Sequence, residues 1–410
     1  MFFPISPRLY NKFQCPNCCS QKVTSSDVVF QGVHVLVEYK CSQCNNIFLS
    51  DLPLSQAVMT PYTVDKSLKN IYGEPRALSW FGDTLLKSLK NPALDDVVFT
   101  VERKKNAKTI VIVNCIDFLY GHSLLKLFNV ESYLKNEKKK GIIVIIPKSL
   151  RWMVPTGVSE IWTVSIPFSK ANNFYPELDK KIKHELRRFD SVYIAGTSSH
   201  PKEFAIQPFT NTDVHDFASS QFRITFIWRE DRLWTRNNTL SKLAARFPVL
   251  QQLFLRRQHS HVRTLFTQLR DHLSDATFTV AGYGQSTVFP AWIEDKRQRV
   301  FTEAVERELC NVYSQSRIVI GIHGSNMLLP SAHAGITIDL MPSDRWGNLA
   351  QDIVFQKHDI YTTVFRYRFL PQTISVPDLT NIVSSCVKNF ASYLRLFDAS
   401  VSSDSTLDKK

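Results

Sequence analysis

The stretch Arg317-Ile318-Val319-Ile320-Gly321-Ile322-His323-Gly324-Ser325-Asn326 decides how the fold is read. Branched apolar residues run from Ile318 to Ile322 without polar alternation, the pattern of a strand buried on both faces of a parallel sheet. The run stops at His323-Gly324-Ser325-Asn326, and a helical stretch begins at once. Glycine lets a backbone come close to a ligand, and a helix N-terminus favours negative charge. The stretch reads as strand, anion-binding turn and helix; a tight turn with a capping serine and a core histidine is the competing reading.

The same texture extends in both directions. Apolar runs at 97–101, 109–113, 142–146, 161–166 and 191–195 alternate with helical stretches at 123–134 and 180–189. After residue 217 come a strand at 223–228, a largely helical stretch at 240–273, a strand at 277–281, an amphipathic helix at 302–313 and a strand at 336–341. Apolar strands joined by helices predict an α/β fold with mostly parallel sheets. A chain of 410 residues exceeds one ordinary core. The expected division is a small ribbon over 1–55, Rossmann-like domains over 56–215 and 216–400, and a disordered tail over 401–410.

Ligands of such sheets bind beyond the carboxyl ends of the strands. Besides the turn at 323–326, two strand ends carry suitable side chains. Trp228 is followed by Arg229 and Arg232, whose planar donors match phosphate oxygens, although a self-paired Arg229-Glu230-Asp231-Arg232 cluster has the same sequence. The strand ending at Val113 is followed by Asp117 and His122. Either could accept a proton from a hydroxyl, and histidine has the better starting pKa near neutrality. A cap or packing residue is the plainer reading of His122.

Cys15-Pro16-Asn17-Cys18-Cys19 and Cys41-Ser42-Gln43-Cys44 form two C-x-x-C knuckles. Cys15, Cys18, Cys41 and Cys44 offer the four soft ligands of a closed structural zinc site, with no position left for a reacting water. Cys19 could replace its neighbour Cys18 as ligand. Two disulfides are the alternative and need an oxidising compartment.

Lysine and arginine total 50 against 37 aspartate and glutamate, a net charge of +13. The expected partners are acidic: nucleic acid, an anionic membrane surface or a phosphorylated small molecule. No apolar run approaches the ~20 residues of a membrane-spanning helix, so the chain is expected to be cytoplasmic, or peripheral to a membrane. The P-loop, the G-x-S-x-G elbow and the H-E-x-x-H zincin motif are all absent, as is any Asp-x-Asp.

Residues 303–342 resemble the C-terminal signature of family 61 glycosyltransferases. The resemblance is carried by an acidic helix, a strand ending in His323-Gly324-Ser325, then Pro330, Gly335 and the strand Ile338-Asp339-Leu340-Met341-Pro342. In that family the turn is His-Gly-Ala and the later strand ends in Glu-Leu. Arg229 and Arg232 resemble its donor segment; Tyr120-Gly121-His122 resembles, more weakly, its acceptor-half motif. The resemblance implies a GT-B fold of two facing Rossmann-like domains, the acceptor on the first and a nucleotide-sugar donor on the second. It implies an inverting transfer (a hexosyl- or pentosyltransferase, class EC 2.4) to a hydroxyl of a saccharide or glycoconjugate. Arg229, Arg232, His323, Gly324, Ser325 and Asn326 would bind the donor, His122 or Asp117 would be the base, and no catalytic metal would be needed. The alternative is a zinc-ribbon module binding nucleic acid or protein on a non-catalytic α/β scaffold. Against nucleic acid, the chain lacks interleaved aromatic and basic RNA-binding motifs.

Overall fold

A computed structural model describes residues 1–54, 60–201, 204–217, 219, 222–235, 247–284, 287–354 and 360–397. The expected tail at 401–410 and the expected start of the helical stretch at 240–246 lie outside them. The chain is mixed α/β and divides into two units, Met1–Phe204 and Ala205–Lys410.

The first unit holds two sheets. Strands β1 (Phe2–Ser6), β2 (Val23–Phe30), β3 (Val35–Cys41), β4 (Ile47–Asp51), β5 (Thr63–Asp65) and β6 (Ile71–Tyr72) precede a short helix, α1 (Asp83–Lys90). Next come β7 (Phe99–Arg103), β8 (Thr109–Asn114), α2 (Tyr120–Asn136), β9 (Gly141–Pro147), β10 (Glu160–Val164), α3 (Pro176–Leu186) and β11 (Ser191–Ala195). The larger sheet has the order β1-β11-β8-β9-β10-β7. Its four central strands are parallel and its two edges, β1 and β7, are antiparallel. All seven positions of β9 are buried, as expected of an apolar strand covered on both faces.

Strands β2 to β6 form a separate antiparallel sheet that carries the cysteine knuckles. The ribbon differs from the expected 1–55 block at both ends. Phe3 and Ile5 are buried, and β1 pairs with β11 nearly two hundred residues away in sequence. The ribbon sheet itself continues to Tyr72. It is also joined to the α/β body by buried polar bonds: Asn114 Nδ2 donates to the Gly32 carbonyl at 2.8 Å, and Phe30 N–H donates to Asp179 Oδ1 at 2.8 Å. A module whose exposed backbone groups are satisfied by the body is part of that body's core.

The second unit has strands β12 (Arg223–Trp228), β13 (Thr277–Tyr283), β14 (Ile293–Gln298), β15 (Ser316–Ile322), β16 (Ile336–Met341) and β17 (Tyr367–Pro371). The order β14-β13-β12-β15-β16-β17 is parallel throughout. Numbered from its own first strand this is 3-2-1-4-5-6, the doubly wound dinucleotide-fold order, which reverses direction between β12 and β15. Its longer described helices and those near the site are α4 (Pro248–His272), α5 (Glu303–Ser314), α6 (Leu328–His333), α7 (Ile360–Arg366) and α8 (Val376–Phe397). Thr302 caps α5, its hydroxyl accepting from Val305 N–H at 3.3 Å, and Glu303 and Glu306 lie in the first turn where the helix dipole favours them. The unit begins at residue 205 and not at the expected 216, because His215 N–H donates to the His333 carbonyl and His215 Nδ1 bonds the Ser314 carbonyl.

Candidate functional site

The reversal between β12 and β15 puts two sequence-predicted segments side by side. Ile227 is in register with Gly321, so the chain beyond Trp228 and the chain beyond Ile322 emerge together at the carboxyl edge. Gly324 lies there with φ +149° and ψ −179°, a region open in practice only to glycine. A Cβ on Gly324 would lie 2.6 Å from Arg232 Nη1 and 2.8 Å from Arg229 Nη1. The glycine therefore gives two guanidinium groups the space that a side chain would fill.

Each arginine is held in place. Arg232 Nη1 donates to the His323 carbonyl at 2.6 Å. Arg229 forks onto Asp231 (Nε to Oδ1 2.7 Å, Nη2 to Oδ2 2.5 Å) and its Nη1 donates to Asn326 Oδ1. The Arg229 carbonyl accepts from Gln258 Nε2 at 3.0 Å, and buried Gln258, on α4, also accepts from Trp234 N–H at 2.8 Å. Burial pushes the Arg232 pKa down to about 10, helped by the neighbouring charges of Arg229 and Arg345. Asn326 Nδ2 is buried and has no hydrogen-bond partner among the described residues. Crowded cations, a free amide donor and a close-approach glycine could together receive an anion with several oxygens. The expected helix dipole contributes little: after the 3₁₀ turn Ser325–Met327, α6 is only six residues long.

His323 occupies a different place from the one expected. Its side chain is 1% exposed and points below the turn, where Nδ1 lies 3.1 Å from Asp339 Oδ2 and 3.0 Å from Asp352 Oδ2. Burial alone would lower its pKa, but the two carboxylates outweigh that and raise it to about 9. At this position the main chain faces the arginines and the ring positions the turn from beneath. Asp352 had no sequence signal: it ends the 3₁₀ turn Trp346–Asp352, a stretch with no motif spacing.

In the first unit the parallel strands run β11-β8-β9-β10, so the reversal falls between β8 and β11, and the segment after β8 holds Asp117 and His122. Both are buried. Asp117 Oδ2 is 2.9 Å from Lys126 Nζ, its Oδ1 accepts from Leu119 N–H at 3.1 Å, and His122 Nδ1 lies 3.4 Å from Oδ1. Burial would raise the Asp117 pKa, but Lys126 and His122 overcome this and hold it at about 2. The ion pair with Lys126 thus favours the charged form of Asp117. The ring of Trp80, 56% exposed, meets His122 edge-on with centroids 6.0 Å apart. Trp80 lies in a π-helical turn, Leu78–Gly82, a rare conformation often found at functional sites.

The structure brings Cys15, Cys18, Cys41 and Cys44 together, their sulfurs all within 4.8 Å of one another. Cys15 Sγ is 3.6 Å from Cys44 Sγ, and Cys18 Sγ is 3.6 Å from Cys41 Sγ. Four sulfurs at ~2.3 Å from a tetrahedral zinc would be about 3.8 Å apart, so the cage fits that ion. Each knuckle ends in a left-handed residue, Cys19 at φ 56° and Asn45 at φ 58°, and Cys19 itself is exposed outside the cage. Such a cage could hold a metal ion and would pin the turn before β2 to the hairpin between β3 and β4.

No protein-family model matches the chain, and no curated protein matches it. Among solved structures, the crystal structure of a GtfA/B complex is similar with 10% identity and a TM-score of 0.26, over 89% of this chain. The chain spans 65% of that structure's chain. A likeness of that size leaves the functional argument to the site itself. No described helix is long and apolar enough to cross a membrane.

Proposed function

We propose that the protein is a glycosyltransferase that moves a sugar from a nucleoside-diphosphate donor to a hydroxyl of a saccharide or glycoconjugate. The carrying observation is the convergence of Arg229 and Arg232 on Gly324 at the strand-order reversal of a 3-2-1-4-5-6 sheet. A diphosphate there would accept from both guanidinium groups, from Asn326 Nδ2 and from the main chain at Gly324 and Ser325, with a nucleoside lying across the carboxyl edge.

In the proposed GT-B arrangement the first unit carries the acceptor. The acceptor oxygen attacks the anomeric carbon, and the bond from that carbon to the donor phosphate oxygen breaks with its electron pair leaving on the diphosphate. Configuration inverts. Arg229 and Arg232 stabilise the departing charge, an interaction that strengthens toward the transition state. The hydroxyl proton passes to His122, with Asp117 and Lys126 fixing the imidazole and Trp80 beside it for the apolar face of a sugar ring. The four-cysteine cage would hold zinc as a structural ion. The protein would work in the cytoplasm or at an anionic membrane surface.

Thermal-shift titration with UDP, GDP, ADP and CDP tests the donor site. At least one should raise the melting temperature of the wild-type chain, and Arg229→Ala should abolish the shift. Lysine at the same position should restore only part of it, lacking the planar fork. If no diphosphate stabilises the wild type, or if the alanine variant responds like wild type, the donor-site reading fails and Arg229 returns to being the self-paired partner of Asp231.

A further inference from the structure

His323, Asp339 and Asp352 lie beneath the Gly324 turn, 1%, 1% and 0% exposed, and offer one ligand atom each within 4.8 Å of one another. Hydrogen bonding alone leaves this group unsatisfied. Imidazole Nδ1 can carry one hydrogen, yet carboxylate oxygens of two different aspartates lie 3.1 and 3.0 Å from it. The aligned hydrogen bond goes to Asp339. Among the described residues, Asp339 Oδ1, both oxygens of Asp352 and His323 Nε2 have none. No Lys or Arg among the described residues pairs with either aspartate. Leaving so many buried polar atoms unmatched is costly, so a ligand or extra protons must compensate.

We infer that His323 Nδ1, Asp339 and Asp352 form a binding site for a divalent cation, distinct from the cysteine cage, that fastens the turn carrying Gly324. The spacing suits it: two neighbouring donors each ~2.1 Å from a shared octahedral ion are about 3.0 Å apart. The charge suits it as well. One neutral imidazole and two carboxylates balance a 2+ ion, whereas without the ion the cluster is neutral only if it holds two protons. A mixed nitrogen and oxygen donor set favours manganese or zinc over magnesium or calcium. The ion would lie under the turn, away from the reacting atoms. Arg232 donates to the His323 carbonyl, so fixing the His323 side chain also fixes the acceptor of that arginine. The inference stands on this cluster and does not need the transferase reading.

The probe is Mn²⁺, added without nucleotide to the full-length chain carrying a single zinc equivalent, the amount the four-cysteine cage takes, and followed by electron paramagnetic resonance. About one Mn²⁺ per chain should bind, its spin-echo modulation showing one imidazole nitrogen. Asp352→Asn and Asp339→Asn should each weaken binding at least tenfold, while Cys41→Ser leaves it intact. The nitrogen signature is read on the wild type, so it decides the matter even if the aspartate variants fail to fold. A wild-type chain that takes up no Mn²⁺ at millimolar concentration, or binds it without nitrogen coupling, overturns the site and leaves a cluster neutralised by protons. Binding unaltered in folded Asp352→Asn overturns it equally. Because nucleotide binding is measured separately, either reading can fail while the other stands.

Discussion

Gly324→Ala separates what the glycine does for the fold from what it does for the ligand. Its φ of +149° with ψ of −179° belongs to a region nearly closed to other residues. Holding alanine there costs about 1–3 kcal/mol. For a unit of this size each kcal/mol lowers the melting temperature by roughly 2–4 °C, so the expected loss is roughly 2–12 °C. The steric effect falls elsewhere. The new methyl would meet Arg232 Nη1 at 2.6 Å and Arg229 Nη1 at 2.8 Å, the ends of long side chains that can move aside only by giving up their bonds to the His323 carbonyl and Asn326 Oδ1. Their displacement removes the donors proposed to hold the diphosphate. A hydrogen bond to a charged group contributes ~1.5–3 kcal/mol, so losing one weakens binding about tenfold to a hundredfold. Isothermal titration with whichever nucleoside diphosphate the wild type binds measures this, and calorimetric scanning measures the first effect. Gly347→Ala is the control: a Cβ there meets nothing within 4 Å, and both quantities should stay at wild-type values. Diphosphate affinity within about twofold of wild type in Gly324→Ala, with the melting temperature lowered as calculated, would refute the placement of the ligand on the two arginines.

Cys41→Ser should remove the metal bound by the ribbon, read as loss of one zinc equivalent by mass spectrometry, and destabilise the first unit while diphosphate binding by the second survives. Retention of the zinc would sink the four-cysteine assignment. Asp117→Asn leaves Lys126 buried without its counter-charge and should cost about 3–5 kcal/mol in chemical denaturation. Because the folded pKa of Asp117 is depressed to about 2, its contribution is fully present above pH ~4 and is lost as pH falls toward 2. A wild-type stability that does not fall more steeply than that of the variant across this window would contradict the ion pair. His122→Ala should suppress transfer while leaving diphosphate affinity near wild type; unchanged turnover would remove His122 as the base.

The central strands were legible because their residues face apolar surroundings on both sides. Residues 318–322 and 224–228 contain almost nothing but large apolar side chains, and their strand assignments followed directly. Edge strands obey different physics. The sequence of β14 is Ile-Glu-Asp-Lys-Arg-Gln, and its outward carboxylates are those of an edge that must not pair further. Its one deeply buried charge, Arg297, is bound in a fork by Asp295, donates to Thr287, and has Trp228 and Phe289 against its guanidinium. Of those partners, Thr287, Trp228 and Phe289 lie outside the strand, so no local pattern announces them. Strand β1 was illegible for the same reason, since its pairing partner is β11.

The site was legible in its positions and not in its directions. His323-Gly324-Ser325 is one block in the sequence, yet its parts face differently: the His323 carbonyl meets Arg232 and Gly324 leaves room for both guanidinium groups, while the His323 ring meets Asp339 instead. The imidazole turns inward because Asp339 and Asp352 are there to receive it, and the second of these cannot be found from spacing. The arrangement above the turn has a further consequence. Arg229 and Arg232 are like charges held close together, and the carboxylate that offsets Arg229 belongs to Asp231, whose side chain is 68% exposed. An exposed carboxylate gains little from pairing, because water serves it nearly as well. The proposed diphosphate, in displacing Asp231, would therefore return that side chain to solvent at small cost, while collecting donors that the buried carbonyl of His323, Gln258 and Asn326 have already fixed in place. Donors fixed in advance need no reorganisation when charge develops on a leaving group, which is the condition under which electrostatic stabilisation is most effective.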